Sequence, residues 1–583
     1  MKVMPGKRNA VIAMTAVFVL LIIMLCAGAV CPETAQGDKG RYGDVLSFSA
    51  APGFYAEPFY LSIDAPADEI YYTLDGTDPD RDSIRYTGPI YIYDVSSEPN
   101  VYCEIKDVSP FYDDELKELF YGYRLNDDIE YPVPDYKVPE QNIDKCTVIK
   151  AVWYDKTGNK SDVLAGSYFV GKEEYTRDDL VTISLFTDPA SFFDHRSGIY
   201  VLGDRAEEYF EEISEAEDEE YREELLGDLW EANYTGRGRE WERQATLQVF
   251  KNGGLELTQQ TGVRIQGGYS REYCPKSLNL YAREEMDGNK LISLDAVDMT
   301  VDKMTLYNGG EDIYSKLKDP LMAGLCSDMD FTTMRFIPCE LYLNGEYWGF
   351  YYLTEKYDKK YIEKKYNVDD DNVVIIKNNE PEEGFEEDLK GYLEDMDFIS
   401  GADMTDEANY QKACRLMDMD GFIDYMAAEI YIARWLDWPG SNFAMWKSRT
   451  AENGEYGDRR WRMLLFDVNW GGMSYDDGDA VRDSIAWVRR YSPIFDNLCH
   501  SDVFKSAFAD RLMSFRDSEF APEHVSEEID GLSGAAEEPM KRHYMRFFGT
   551  DDARFYEEAE KLKLFFRERY DYIPVMIEDN FGE

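Results

Sequence analysis

Two segments close together in the chain decide how the rest is read: RWLDWPGSNFAMWKSRT, Arg434 to Thr450, and RRWRMLLFDVNWGG, Arg459 to Gly472. The first puts Asp437 and Asn442 in one loop. The second puts Asp467 directly after the apolar run Met463-Leu464-Leu465-Phe466, which reads as a short buried strand. Two short acidic loops beside a strand can hold a metal, because carboxylate and amide oxygens are hard donors. Just upstream, Phe422 to Trp435 carries apolar and aromatic residues at i, i+3 and i+4, so a buried helix is expected to present the Asp437 loop. Downstream, Pro493 to Leu498, Val503 to Phe515 and Asp551 to Ile577 read as amphipathic helices.

Further upstream the pattern is mixed. Thr182 to Phe186 reads as a strand, Phe192 to Gly203 as a turn entering another, and Glu207 to Trp230 as an acidic helical stretch. Gln244 to Phe250 and Thr261 to Gln266 read as strands leading into Gly267-Gly268-Tyr269-Ser270-Arg271 and then Pro275-Lys276-Ser277-Leu278. A strand, a Gly-Gly turn and a second strand bearing a lysine is an arrangement in which backbone amides and an ammonium approach a phosphate; the same residues also make an ordinary hairpin. Cys339 to Leu353 is a two-stranded hairpin turned by Asn344-Gly345, and Lys356 to Tyr366 reads as helical with Glu355 opening it. Lys377, after Val373-Val374-Ile375-Ile376, is a rival phosphate contact.

From about Leu46 to Gly171 short alternating runs are separated by Gly, Pro and Asp turns, which predicts a small β-sandwich over 46–171 with a Tyr- and acid-rich insertion near 98–138. Asp75, Asp78, Asp80 and Asp82 suggest calcium, but shaping the turn around Gly76 and Pro79 is the simpler role. Cys103 and Cys146 fall in this module and could bridge in an oxidising compartment. The segment Ile70 to Asp80, followed by Tyr86-Thr87-Gly88-Pro89-Ile90, resembles the chitobiase/β-hexosaminidase C-terminal-type domain, which implies a spacer or binding module.

At the start, Lys2, Lys7 and Arg8 precede a nearly unbroken apolar run from Ala10 to Val30, so residues 1–31 read as a signal peptide or signal anchor. The bulk of the chain is then expected outside a bacterial cell, secreted or held at the surface by one membrane anchor. A chain of 583 residues is too long for one core. Its 116 acids against 62 bases give a formal charge of −54, a surface that repels phosphate backbones and argues against nucleic acid as a partner. Four scattered histidines and cysteines without paired close spacing give little support to a zinc site or a histidine-based triad.

Four motifs in order, GVRIQGGYSREYCPKSLNLYAR (from Gly262), CELYLNGEYWGFYYLTEKYDKKYIEKKYNV (from Cys339), WLDWPGSNFAMWK (from Trp435) and WRMLLFDVNWG (from Trp461), resemble the spore coat protein H (CotH) kinase family. The resemblance implies a multidomain α+β chain: the β-sandwich, then an atypical protein-kinase-like domain over 180–583, with a β-rich lobe at about 180–400 and a helical lobe at about 400–583. It also implies ATP with Mg²⁺ or Mn²⁺ as cofactors and Ser/Thr of surface or coat proteins as acceptors. By the family's pattern Asp437 orients or deprotonates the acceptor hydroxyl, and Asn442 and Asp467 hold the cation. Lys276 is the phosphate-contacting lysine, with Arg271 a second cation nearby and Glu355 a partner for Lys276. The chain departs from the pattern at Asn469, where relatives carry a second acid in Asp-x-Asp-Trp; Asn can ligate through its carbonyl, but with one negative charge fewer. Two other classes remain open: a non-catalytic adhesion or scaffold protein whose sandwich binds wall polysaccharide or a protein, and a sugar hydrolase, which needs paired carboxylates.

Overall fold

In a computed structural model of the protein the described residues are 46–582, except 68, 125–132, 228–229, 436 and 473–478. The expected leader, 1–31, lies outside them; among the described residues no helix is long and apolar enough to cross a membrane. The N-terminal part is β-rich and the C-terminal part helical.

Between them stands a closed seven-stranded barrel. Its strands follow one another around the wall as Val181–Phe186, Arg243–Lys251, Gly254–Ile265, Leu278–Ala282, Lys303–Tyr307, Glu346–Glu355 and Ile337–Leu343, and the last closes in parallel on the first, Val181 opposite Cys339. Closure removes sheet edges. Helix Pro522–Phe547 covers the outside: the Tyr347 hydroxyl donates to the Pro539 carbonyl at 3.0 Å, and the Phe350 N–H to His543 Nδ1 at 3.3 Å. That double covering explains why Glu346–Glu355, EYWGFYYLTE, is buried at every position and does not alternate. Its hairpin turn uses Asn344 and Gly345 at φ 48° and 87°, the left-handed pair that an Asn-Gly turn requires.

A second, four-stranded sheet runs Glu380–Glu383, Val373–Lys377, Ala444–Ser448, Arg462–Leu464. Its register sets Lys377 opposite Ala444 and Ala444 opposite Leu464. The ends of three strands thus bring Lys377, the loop before Ala444 and the loop after Leu464 side by side. Helix Met419–Tyr431, buried from Gly421 onward, feeds the first of those loops; it stops four residues short of the expected Trp435.

Three expectations change. Ile199 to Leu202, read as entering a strand, is an irregular buried segment that leads into helix Gly203–Glu215. Glu355 ends a strand and does not open a helix; helix Lys359–Tyr366 follows it, capped by Asp358. Cys103 and Cys146 are both buried free thiols.

The N-terminal module has a five-stranded sheet and its own core of Leu61, Ile63, Ile70, Ile92 and Tyr168. Its acids shape turns: Asp75 accepts the Thr77 N–H at 3.0 Å, Asp80 accepts the Asp82 N–H at 2.9 Å, and Asp78 pairs with Lys150 at 2.9 Å. The insertion near 98–138 packs elsewhere. Cys103, Val108, Phe111 and Tyr136 join the main core, and the buried Glu346 carboxylate takes the N–H groups of Val101, Tyr102 and Cys103 at 2.6, 3.0 and 2.8 Å. The insertion is a strap that binds the module to the barrel.

Candidate active site

A cleft of about 780 Å³ opens where the barrel, the four-stranded sheet and the two acidic loops meet. That volume suits a ligand of nucleotide size. Apolar side chains (Met334, Phe336, Ile375, Leu464, Phe466) line part of it, and Asp437, Asn442 and Asp467 line another. Buried Arg434 bolts the two loops together. Its Nε and Nη2 grip both oxygens of Asp437 at 3.0 and 2.5 Å, and its Nη1 reaches Glu429 at 3.1 Å and the Phe466 carbonyl at 3.3 Å, one residue before Asp467. A bidentate arginine fixes a carboxylate's plane as well as its place. Burial pushes the Glu429 carboxyl up to about 7, against the pull of Arg434. Asn442 donates to Asp437 Oδ2 at 2.7 Å, which leaves its own carbonyl oxygen for another partner. Asn442 and Asp467 both sit in the left-handed region, at φ 51° and 58°. Asn and Asp tolerate it best, and such conformations gather at functional sites.

Of the two cations the sequence pattern offers, Arg271 lines the cleft and Lys276 does not. Lys276 is fully buried and does not line the cleft: its ammonium donates to the Arg271 carbonyl and, at 3.5 Å, to that of Tyr273, and it lies 3.8 Å over the Tyr234 ring. Burial lowers its pKa to about 8. Arg271 lines the cleft but spends its guanidinium on four carbonyls, those of Gly267, Tyr234, Gly236 and Ile265, at 2.7 to 3.1 Å. Glu355 lines the cleft and pairs with Lys364 at 3.4 Å and Arg335 at 3.7 Å, not with Lys276. The cation beside Asp467 is Lys377, 4.3 Å over the Phe466 ring; burial lowers its pKa and Asp467 opposes that.

Comparison with known families adds the decisive match: the model described as CotH kinase protein matches residues 263–573, just over half of the chain and both acidic loops. The chain belongs to the CotH kinase protein family. A second model, described as Fn3 associated, matches residues 59–168, within the N-terminal module. No curated protein matches the chain.

Within this CotH kinase domain, two acids escaped the sequence reading. Asp319, in the first turn of helix Lys318–Leu325, accepts the Val468 N–H on Oδ1 at 2.9 Å, and its Oδ2 faces the Tyr307 hydroxyl at 2.7 Å and Asn469 Nδ2 at 3.1 Å. It therefore holds the backbone on which Asp467 stands. Burial, then Asp467, pushes its carboxyl up to about 6. Glu311 lines the cleft, and burial, then Asp467, drives its pKa well up. Both are two acids among 116, with no motif around them, and their meeting with Asp467 spans about 150 residues of chain. The test for a cation is the donor set: the Asp467 carboxylate, the Asn442 carbonyl and the Glu311 carboxyl line one cleft as hard oxygens, and they fit Mg²⁺ or Mn²⁺. Among the described residues, His195 with Asp204 and Glu207, and Asp369 to Asp371, also group ligand atoms closely enough for a cation; neither group lines the cleft.

Proposed function

We propose that this chain is an exported, atypical two-lobed protein kinase that moves the γ-phosphate of ATP to Ser or Thr of a surface or coat protein. The single observation behind the reading is the convergence of Lys377, Asp467, Asn442 and Asp437 on one nucleotide-sized cleft in a CotH kinase chain. ATP with its divalent cation would supply the transferable phosphoryl group, and the cation would neutralise its charge. Asp467 and Asn442 hold the cation. Lys377, rather than Lys276, meets the phosphates as an ammonium. Asp437, with its plane fixed by Arg434, accepts a hydrogen bond from the acceptor hydroxyl and so aims it. The apolar wall of Met334, Ile375 and Leu464 excludes water from the base end of the ligand. Export is proposed on the leader, and for the N-terminal module the chitobiase-type relation and wall-polysaccharide binding stay proposals resting on Ile70 to Asp80.

The experiment is transfer of label from γ-³²P-ATP in Mg²⁺ or Mn²⁺ to the chain itself, to casein-like acceptors and to co-expressed coat or wall proteins, with Asp467→Ala as control. Label that disappears in the variant supports the reading. No label on any acceptor would favour the scaffold class, which the full engagement of both Asp437 oxygens also permits.

A further inference from the structure

We propose that Glu311 is a ligand of the divalent cation in this cleft and supplies the negative charge that Asn469 leaves out. The inference rests on the nucleotide-and-cation reading given above.

Asn469 is not arranged as a ligand. Its Nδ2 is shared among Asp467 Oδ1 at 3.0 Å, Asp319 Oδ2 at 3.1 Å and the Tyr307 oxygen at 3.1 Å, while its Oδ1 accepts the Glu311 N–H at 3.4 Å. Ionised carboxylates only accept hydrogen bonds, so the amide nitrogen must face the two acids and the amide oxygen must face Glu311. The side chain works as a bracket between Asp467, Asp319 and the Glu311 backbone. An aspartate at this position would instead set a third carboxylate against the other two, with no hydrogen to share among them.

The chain before Glu311 is shaped for this approach. Gly309 and Gly310 stand at φ 101° and 61°, and a Cβ on Gly310 would lie 2.7 Å from both Asn469 Nδ2 and the Tyr307 hydroxyl. Only glycine lets the turn lie flat on Asn469. The turn is also tied down: Asn308 Oδ1 accepts the Gly310 N–H at 2.9 Å and Asn308 Nδ2 donates to the Pro275 carbonyl at 2.7 Å. Glu311 is thereby delivered into the cleft that Asp467 and Asn442 also line. The charges that act most on its carboxyl are those of Asp467, then Asp437 and Asp319. A carboxylate carried on a tied-down turn and lining the same cleft as two hard oxygen donors is placed to share a cation with them. On this assignment the charge missing at Asn469 would come from a loop about 160 residues upstream.

The test is Mn²⁺ binding by the full chain, with free Mn²⁺ read from its electron paramagnetic resonance signal, in the wild type, Glu311→Gln and Asn469→Asp. Melting temperature and ATP binding are measured alongside. Glu311→Gln keeps the shape of the side chain and is expected to melt with the wild type while binding Mn²⁺ about tenfold or more weakly. Asn469→Asp is expected to melt lower and to bind Mn²⁺ no better than the wild type, because it breaks the bracket. Wild-type Mn²⁺ affinity in Glu311→Gln, or tighter binding in Asn469→Asp, would overturn the assignment. If either result comes with ATP binding intact, the ligand assignment alone fails. A wild-type chain that binds neither Mn²⁺ nor ATP overturns this inference together with the kinase reading.

Discussion

Lys276 and Lys377 each end a segment that the sequence offers as a phosphate contact, Lys276 a looped turn before strand Leu278–Ala282 and Lys377 the strand Val373–Lys377, and their surroundings are opposite. The Ile265 to Lys276 segment turns its carbonyls inward: Gly267 and Ile265 accept from Arg271, and Arg271 and Tyr273 accept from Lys276. A loop lined with carbonyls cradles cations, and here it holds its own. A phosphate needs the reverse, amides and an unspent ammonium. The strand Val373–Lys377 has no glycine turn, yet it leaves its terminal ammonium in the cleft beside Asp467. What distinguishes a structural lysine from a phosphate-binding one is therefore which backbone groups surround it, and a Gly-Gly pair does not report that.

That contrast can be broken or sharpened by experiment. The largest expected effect is at Lys377: Lys377→Ala should weaken Mg²⁺-ATP binding in calorimetry roughly a hundredfold, about 2.7 kcal/mol, with the denaturant midpoint unchanged. Lys276→Met should do the converse. It should lower unfolding free energy by about 2 kcal/mol, because two buried carbonyls lose their charged donor, and leave ATP affinity within about twofold. Equal losses of ATP affinity in the two variants would dissolve the contrast.

Next in size is a pH effect. The Asp319 carboxyl is pushed up to about 6, by burial first and by Asp467 second, and Glu311 is pushed up for the same two reasons. An unfolded Asp titrates near 3.9, so between roughly pH 4 and pH 6 the folded chain keeps a proton that the unfolded chain has lost. This contribution to stability is present at pH 4 and is lost as pH rises through 6. Cation binding runs the other way, because it needs the carboxylate. Mg²⁺ affinity should tighten about tenfold from pH 5 to pH 7, and added Mg²⁺ should raise the melting temperature at pH 7 more than at pH 5. A flat profile would remove Asp319 and Glu311 from the site's charge balance. The smallest effect is expected for Arg271→Lys, which gives up most of four carbonyl contacts and should cost about 1 kcal/mol of stability, with a smaller loss of ATP affinity than Lys377→Ala.

Much of this was legible where the information is local. The Asn344-Gly345 hairpin, the buried helix before Arg434 and the two acidic loops are set by neighbours within a dozen residues, and the structure has each of them. Barrel closure was not legible, because Val181–Phe186 pairs with Ile337–Leu343 across about 150 residues and both faces of the wall are covered, which hides strand alternation. The strap was read as an insertion since its Tyr- and acid-rich composition gives no hint that Phe111 and Tyr136 are buried against the barrel. The burial of Lys276 away from the cleft was hidden for a related reason: sequence gives residue type and spacing, but not the direction of the carbonyls around it. Asp319 and Glu311 were invisible because single acids carry no pattern in a chain this acidic.

The central claim is that the cleft binds a nucleotide through Lys377 and a divalent cation through Asp467. Its most direct test is isothermal calorimetry of ATP with the full chain, with Mg²⁺ present and absent, for the wild type, Lys377→Ala and Asp467→Ala. The expected result is saturable binding by the wild type that depends on Mg²⁺, with Asp467→Ala losing the Mg²⁺ dependence and Lys377→Ala losing most of the affinity. Binding that ignores Mg²⁺, or that survives both substitutions unchanged, would contradict the account.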